Sequence, residues 1–242
     1  MNPIAALKII TLVFALVHLC FAFVGDEVYS IGFRALALSF LVVLYILKVK
    51  KRNNWFLGFL AFYAIGDAFS FVSWFTNTEQ SADLDLVYYY VGNSVYIIAY
   101  LLLIIRIALG LNFKEILKKH MFYVLLLGLL NVFCVYFISD ATTEFIDSSS
   151  HLMEDTYNAI IVILMSFSVL GYLAHDDQKS IKILIGSMLI VFSEILQLAY
   201  FYVADFNVLY VICSILFTLA FLFFYLQSRL EYRLRKEYTY EL

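Results

Sequence analysis

Proline is nearly absent from this sequence, and charged residues are scarce. Pro3 is the only proline in 242 residues. Because proline is a common cause of sharp helix kinks, we expect no apolar segment to carry a proline kink. Only 14% of the residues are charged and 64% are hydrophobic, whereas a soluble domain has about 25% charged residues. These values argue against a soluble domain and indicate a polytopic membrane protein with one domain.

Cysteine and histidine are also few, and their positions exclude several kinds of site. The cysteines all lie in apolar runs, and the histidines lie in four different segments: Cys20, Cys134 and Cys213; His18, His120, His151 and His175. Neither set has the spacing of metal ligands or of a disulfide framework. The sequence has no Gly-rich phosphate loop, no H-E-x-x-H and no G-x-S-x-G. The net charge of -3 is small. We therefore expect no metal, no cofactor and no nucleic-acid partner.

Apolar runs of about 20 residues are long enough to cross a bilayer as helices. Eight such runs occur, over residues 4–24, 31–47, 55–75, 87–109, 120–139, 155–174, 181–204 and 206–227. The sequence therefore predicts an all-α fold with eight transmembrane helices in residues 1–228, followed by a charged cytoplasmic tail over 229–242.

Lysine and arginine are concentrated on one side of these eight spans. When the spans alternate in direction, every one of the 16 basic residues except Arg34 falls on the same side, and Arg34 falls on the other. Basic residues mark the cytoplasmic side of a membrane protein. Both termini are therefore predicted to be cytoplasmic. We expect an integral protein of a bacterial inner (cell) membrane, and the sequence leaves its oligomeric state open.

Two carboxylates interrupt the predicted spans. Asp67 lies well inside the third span and Glu194 inside the seventh, and we predict no other acidic residue to be buried in a span. Placing a carboxylate in hydrocarbon costs about 2.5–3.5 kcal/mol, so such a residue usually faces the bundle interior and has a function. We predict that Asp67 and Glu194 are catalytic.

Other polar side chains also follow helical spacing. Tyr63 shares a face with Asp67, and Gln197 shares one with Glu194. On the fourth span one face carries Tyr89, Asn93, Tyr96 and Tyr100. We assign substrate binding to Tyr63 on the third span, to Asn93, Tyr96 and Tyr100 on the fourth, to Tyr157 and Asn158 on the sixth, and to Gln197 on the seventh. At 1.5 Å per residue these positions fall between mid-membrane and the outer leaflet. The simplest interpretation of the lone His18 in the first span is a hydrogen bond to a backbone carbonyl.

An acid pair of this kind is compatible with two kinds of chemistry. General acid/base catalysis requires one acid protonated and one ionised at neutral pH. The same arrangement suits a proton relay in a transporter. A third interpretation is structural, because polar contacts between membrane helices contribute about 0.6 kcal/mol each.

The eight-span layout and the two acids resemble the lysoplasmalogenase (YhhN-like) family. Gly66-Asp67 is similar to that family's Gly-Asp motif. Further similarity lies in Tyr157-Asn158 with Met165, and in the stretch from Gly186 through Phe192 to Ser193-Glu194, where Glu stands in place of the family's Asp. In the fourth span Gly92 and Tyr96 fit the family pattern, and Tyr100 stands at the position of the family's histidine.

The resemblance implies a role in lipid metabolism. The expected reaction is hydrolysis of the vinyl ether bond of a lysoplasmalogen, giving a fatty aldehyde and a glycerophospho-base. One acid would protonate the enol ether carbon and the other would guide water to the resulting cation. The substrate would be a membrane lipid or lysolipid, and no metal or cofactor would be needed.

Two alternatives remain open at this point. The first is a proton-coupled carrier of a small or amphipathic solute. Asp67 and Glu194 lie four spans apart, each preceded by a small residue, which is compatible with a parallel duplication of four helices. The second is a non-catalytic membrane module, whose polar faces would point at different neighbours.

Overall fold

The computed structural model describes residues 3–76, 82–142 and 150–230, and these form helices without any strand. The eight helices are α1 (Pro3–Val24), α2 (Glu27–Lys48), α3 (Asn54–Thr76), α4 (Ala82–Ala108), α5 (Phe113–Thr142), α6 (His151–His175), α7 (Gln178–Leu198) and α8 (Asn207–Ser228). All eight are long and apolar enough to cross a membrane. The predicted fold class is therefore confirmed, and the protein is an integral membrane protein.

An even number of helices places Pro3 and Leu230 at the same face of the bundle, which we call the basic face because Lys8, Lys48 and Arg229 lie there. The cytoplasmic position of the basic face stays a prediction from the charge distribution. We call the other end of the bundle the acidic face. Residues 231–242 of the predicted tail lie outside the described residues.

Short connections and polar caps define several helix ends. Gly25 joins α1 to α2 with a φ of 82°, a conformation that glycine adopts at little cost. Asp26 then caps α2 by accepting a hydrogen bond from the backbone nitrogen of Tyr29 at 3.2 Å. Asp177 and Ser180 form a reciprocal capping box at the start of α7. These caps satisfy backbone donors that the first turn of a helix leaves unpaired.

Six helices surround the centre of the molecule. Neighbours pack in the order α2, α3, α4, α6, α7, α8, and α1 lies across the junction of α8 with α2. Helix α5 packs against α6, and its middle section is exposed. Each peripheral helix is therefore followed in the chain by three central helices, an order compatible with a four-helix repeat.

Aromatic side chains fill the centre of the bundle in the half nearer the basic face. Phe56 and Phe59 on α3 and Phe224 on α8 are almost fully buried. At the basic end Arg106 donates a 2.6 Å hydrogen bond to Gln227 and lies 5.2 Å from the centre of the Phe56 ring. These contacts pack α3, α4 and α8 against one another in this half of the bundle.

The helices differ from the predicted spans at places that matter for function. Helix α2 begins at Glu27, so Arg34 lies two turns inside the helix and is buried. Arg34 therefore lies inside the bundle, in the half of α2 nearer the acidic face. Helix α6 begins at His151, which brings Glu154 into the helix, where it is 5% exposed. The prediction that only Asp67 and Glu194 are buried acids is therefore wrong.

Two irregularities in the helices were not predicted. Helix α5 is kinked at His120, where φ is -129° and ψ is 24°, although no proline is present. Helix α7 continues into a π-helical turn over Ala199–Val203. Such π-helical turns are frequent at functional sites, and Phe201 from this turn lines the cavity described next.

Candidate functional site

A polar cavity of about 340 Å³ enters the bundle from the acidic face, where α2, α4 and α8 begin and α3 ends. Six of the predicted site residues line it: Tyr63, Asn93, Tyr96, Tyr157, Glu194 and Gln197. The polar faces of α3, α4, α6 and α7 thus converge on one space, a point that the sequence left open. The cavity is large enough for part of a lipid or for a small solute.

Glu194 forms part of the cavity wall and is held by three tyrosine hydroxyls. Tyr63 and Tyr100 both donate to Oε1, the former at 2.9 Å, and Tyr157 donates to Oε2 at 2.9 Å. Glu194 as a whole is 8% exposed. The donors come from three different helices, so any motion of Glu194 requires several hydrogen bonds to rearrange.

Asp67 lies deeper and is fully buried. Arg34 binds it with two hydrogen bonds, from Nε to Oδ2 at 2.9 Å and from Nη2 to Oδ1 at 2.8 Å. Tyr96 donates a third, to Oδ1, at 2.7 Å. A bidentate guanidinium–carboxylate pair is the strongest form of this interaction. Asp67 is therefore paired with Arg34, and Arg34 and Tyr96 line the cavity whereas Asp67 does not.

The two acids belong to one tyrosine cluster. The rings of Tyr63 and Tyr96 lie 4.9 Å apart, and the hydroxyls of Tyr63 and Tyr100 are 3.0 Å apart. Gly66 makes this packing possible, because a Cβ atom at that position would lie 2.7 Å from the Tyr96 ring. The close approach of the Tyr96 ring thus explains why the residue before Asp67 is a glycine.

Arg34 is the main functional candidate that sequence reasoning missed. Its guanidinium lies 4.5 Å from the centre of the Phe217 ring, in addition to its pairing with Asp67. Asp67 could have indicated it, because a buried carboxylate needs a cationic partner. Arg34 is the one basic residue that the sequence places on the opposite side from all the others. Arg34 supplies a fixed positive charge to the cavity wall.

A third buried acid, Glu154, lies behind the cavity. Tyr89 donates to Glu154 at 3.1 Å, and Asn158 donates to it at 3.4 Å. The structure places Asn158 and Tyr100 behind the wall, where they hold Glu154 and Glu194 respectively. Asn93 lies in the wall and donates to the backbone oxygen of Tyr89 at 3.0 Å.

Two polar residues outside the cavity, Asn131 and His18, make other contacts. Asn131 on α5 accepts a 2.8 Å hydrogen bond from Ser166 on α6. His18 contacts the backbone oxygen of Ser30 through Nδ1 at 2.9 Å, which confirms the expected bond to a carbonyl. Within the described ranges, no group of three or more His, Cys, Asp or Glu side chains is arranged to hold a metal ion.

The fold and this cavity define the class of the protein: an eight-helix integral membrane protein with ionisable groups in its core. No protein-family model, no curated protein and no solved structure matches the chain. The function is therefore inferred from the geometry of the cavity.

Proposed function

We propose that the protein is a membrane-embedded lipid hydrolase that cleaves a vinyl ether bond in the polar cavity. The observation that carries the proposal is Glu194, a carboxyl group in the wall of an intramembrane cavity, held by three tyrosine hydroxyls. The tyrosines keep it in one orientation, which general acid/base catalysis requires. The YhhN-like resemblance of the sequence supports the same reaction and includes Glu194 among its motif residues.

The proposed reaction needs one proton donor and one water. Glu194 in its protonated form gives its proton to the enol ether carbon, which leaves a carboxylate and an oxocarbenium ion. Water adds to the cationic carbon while the Glu194 carboxylate takes one of its protons. The resulting hemiacetal releases a fatty aldehyde and an alcohol, and Glu194 is protonated again. Atoms and charge balance without a cofactor.

The Asp67–Arg34 pair has a positioning role in this proposal. Asp67 holds Tyr96 and Arg34 in place, and both line the cavity. The negative charge that forms on Glu194 after proton transfer is stabilised by the tyrosine hydroxyls and by the nearby guanidinium. A lysolipid headgroup phosphate would meet Arg34 as the cation in the wall.

The test is a turnover assay on detergent-purified protein, read by mass spectrometry, with matched lyso-ether and lyso-ester phospholipids. Release of aldehyde from the vinyl ether substrate alone is the expected result. Glu194→Gln should lower the rate by about 10²–10⁴-fold, the usual contribution of a general acid/base. Glu115→Gln, at an exposed position on α5, is the control and should leave the rate unchanged. Activity of Glu194→Gln within tenfold of the parent protein would overturn the assignment.

A second candidate is a proton-coupled carrier, and one observation favours it. The chain order of peripheral and central helices fits a four-helix repeat, and repeats are common in transporters. Asp67 and Glu194 occupy the equivalent third helix of each half. In proteoliposomes a carrier would move solute only when a pH gradient is imposed, whereas a hydrolase would turn over lipid without one.

A further inference from the structure

A second chamber lies between α1, α2 and α8 and reaches the basic face. Its volume is about 290 Å³, and its walls are almost entirely apolar, with Leu38, Leu41 and Phe221 among them. Arg34 and Phe217 lie at its inner end, and Arg34 also lines the polar cavity. The chamber is thus separate from the proposed catalytic cavity and enters the bundle from the opposite face.

Two residues that line this chamber each carry a buried polar atom without a hydrogen-bond partner among the described residues. The two atoms are Nε2 of His18 and the hydroxyl oxygen of Tyr225. His18 is 1% exposed, and its ring is fixed because Nδ1 contacts the Ser30 carbonyl oxygen. With the proton on Nδ1, Nε2 is an acceptor that lacks a donor. Buried polar groups are nearly always paired, so an unpaired one beside a chamber points to a ligand.

The opening at the basic face is positively charged. Lys8 lines the chamber, and Lys48 lies close enough to interact with both Lys8 and Arg229. These three residues come from three different segments, the start of α1, the end of α2 and the residue after α8. Such a cluster is complementary to an anionic group held at the membrane surface.

From these observations we infer that the chamber binds a single-chain amphiphile with an anionic headgroup and a hydroxyl on its chain. The headgroup lies at Lys8 and Lys48, the chain fills the chamber, and the hydroxyl donates to His18. At about 290 Å³ the chamber is at the small end of ligand cavities, which span about 300–1,000 Å³, so it suits one chain rather than two. Lys8 and His18 are ten residues apart on α1, or about 15 Å, which sets the separation of headgroup and hydroxyl.

The experiment measures binding and does not depend on the proposed hydrolase. Purified protein is photolabelled with palmitate that carries a diazirine near its terminal carbon, and labelled peptides are located by mass spectrometry. Label on α1 and α8 near His18 and Phe217 is expected. Lys8→Ala/Lys48→Ala should reduce labelling at least tenfold, and the matched double variant Lys114→Ala/Lys118→Ala should not. Labelling elsewhere, or equal labelling by an alkylamine of the same length, would overturn the inference.

The hydroxyl is tested by competition. Unlabelled 12-hydroxystearate should displace the probe at several-fold lower concentration than stearate, and His18→Leu should remove that difference. Equal displacement by the two acids on the parent protein refutes the role of His18. Ala15→Phe narrows the chamber and should weaken the binding of both fatty acids alike. If this variant elutes normally on size exclusion and is labelled as strongly as the parent protein, the chamber is not the binding site. If the parent protein is labelled in the chamber but hydrolyses no lipid, only the proposed hydrolase is refuted. If it hydrolyses lipid but is not labelled in the chamber, only the binding chamber is refuted.

Discussion

The buried Asp67–Arg34 pair allows a quantitative test of the site's construction. Removing one partner of a buried ion pair leaves an uncompensated charge and costs about 3–5 kcal/mol. Asp67→Leu leaves the guanidinium inside the bundle, and Arg34→Met leaves a carboxylate that only Tyr96 contacts. Each single variant should therefore lose about 3–5 kcal/mol of unfolding free energy.

The double variant Arg34→Met/Asp67→Leu should be more stable than either single variant, because neither member of the pair is left as an uncompensated buried charge. The exposed pair of Glu115 and Lys119, with its 2.6 Å contact, is the matched control. Its removal should change stability by less than about 1 kcal/mol, with little coupling between the two residues.

The measurement is equilibrium unfolding in detergent micelles, followed by tryptophan fluorescence. Trp55 and Trp74 are the two tryptophans of the chain, and both lie on α3 with Asp67. The signal therefore reports the helix that carries the perturbation. If the double variant is destabilised by the sum of the two single changes, Arg34 and Asp67 do not interact as described, and the positioning role of the pair fails.

Two further predictions follow from particular contacts. Gly66→Leu should lower turnover at least tenfold in the turnover assay. Even a Cβ atom at this position would lie 2.7 Å from the Tyr96 ring, so a leucine side chain would displace that ring. The control is Gly128→Leu, because nothing lies within 4 Å of a Cβ atom at Gly128. Ser166→Ala should cost about 0.6 kcal/mol in the unfolding assay, the average for a hydrogen bond between membrane helices, because it removes the 2.8 Å bond to Asn131. A cost above about 2 kcal/mol would mean that α5 depends on this bond more than such averages allow.

Much of the fold could be predicted because a bilayer imposes simple rules on a sequence. Apolar length gave the eight helices, and most of their ends lie within a few residues of the predicted spans. The errors arose where a helix begins in polar residues. Hydropathy gives no reason to extend a helix through Glu27 or Glu154, whereas the structure pairs Glu27 with Tyr200 at 2.5 Å and Glu154 with Tyr89.

The sequence could predict most residues of the candidate site, but it could not predict which of them contact each other. Helical spacing placed Tyr89, Asn93, Tyr96 and Tyr100 on one face of α4, and the structure confirms that arrangement. Spacing on one helix cannot say which neighbouring helix that face meets. For this reason Asp67 and Glu194 appeared as one equivalent pair, whereas the structure gives Asp67 a guanidinium and Glu194 three hydroxyls.

Arg34 lines both chambers, and this has an electrical consequence. One chamber is polar and enters from the acidic face, whereas the other is apolar and enters from the basic face. A transmembrane voltage falls mainly across material that excludes water, so the field would lie between Arg34 and the basic face. Each elementary charge moved across the full voltage is worth about 2.3 kcal/mol per 100 mV. Protons that reach Glu194 from the acidic face would cross little of that field, and its chemistry would be insulated from the membrane potential.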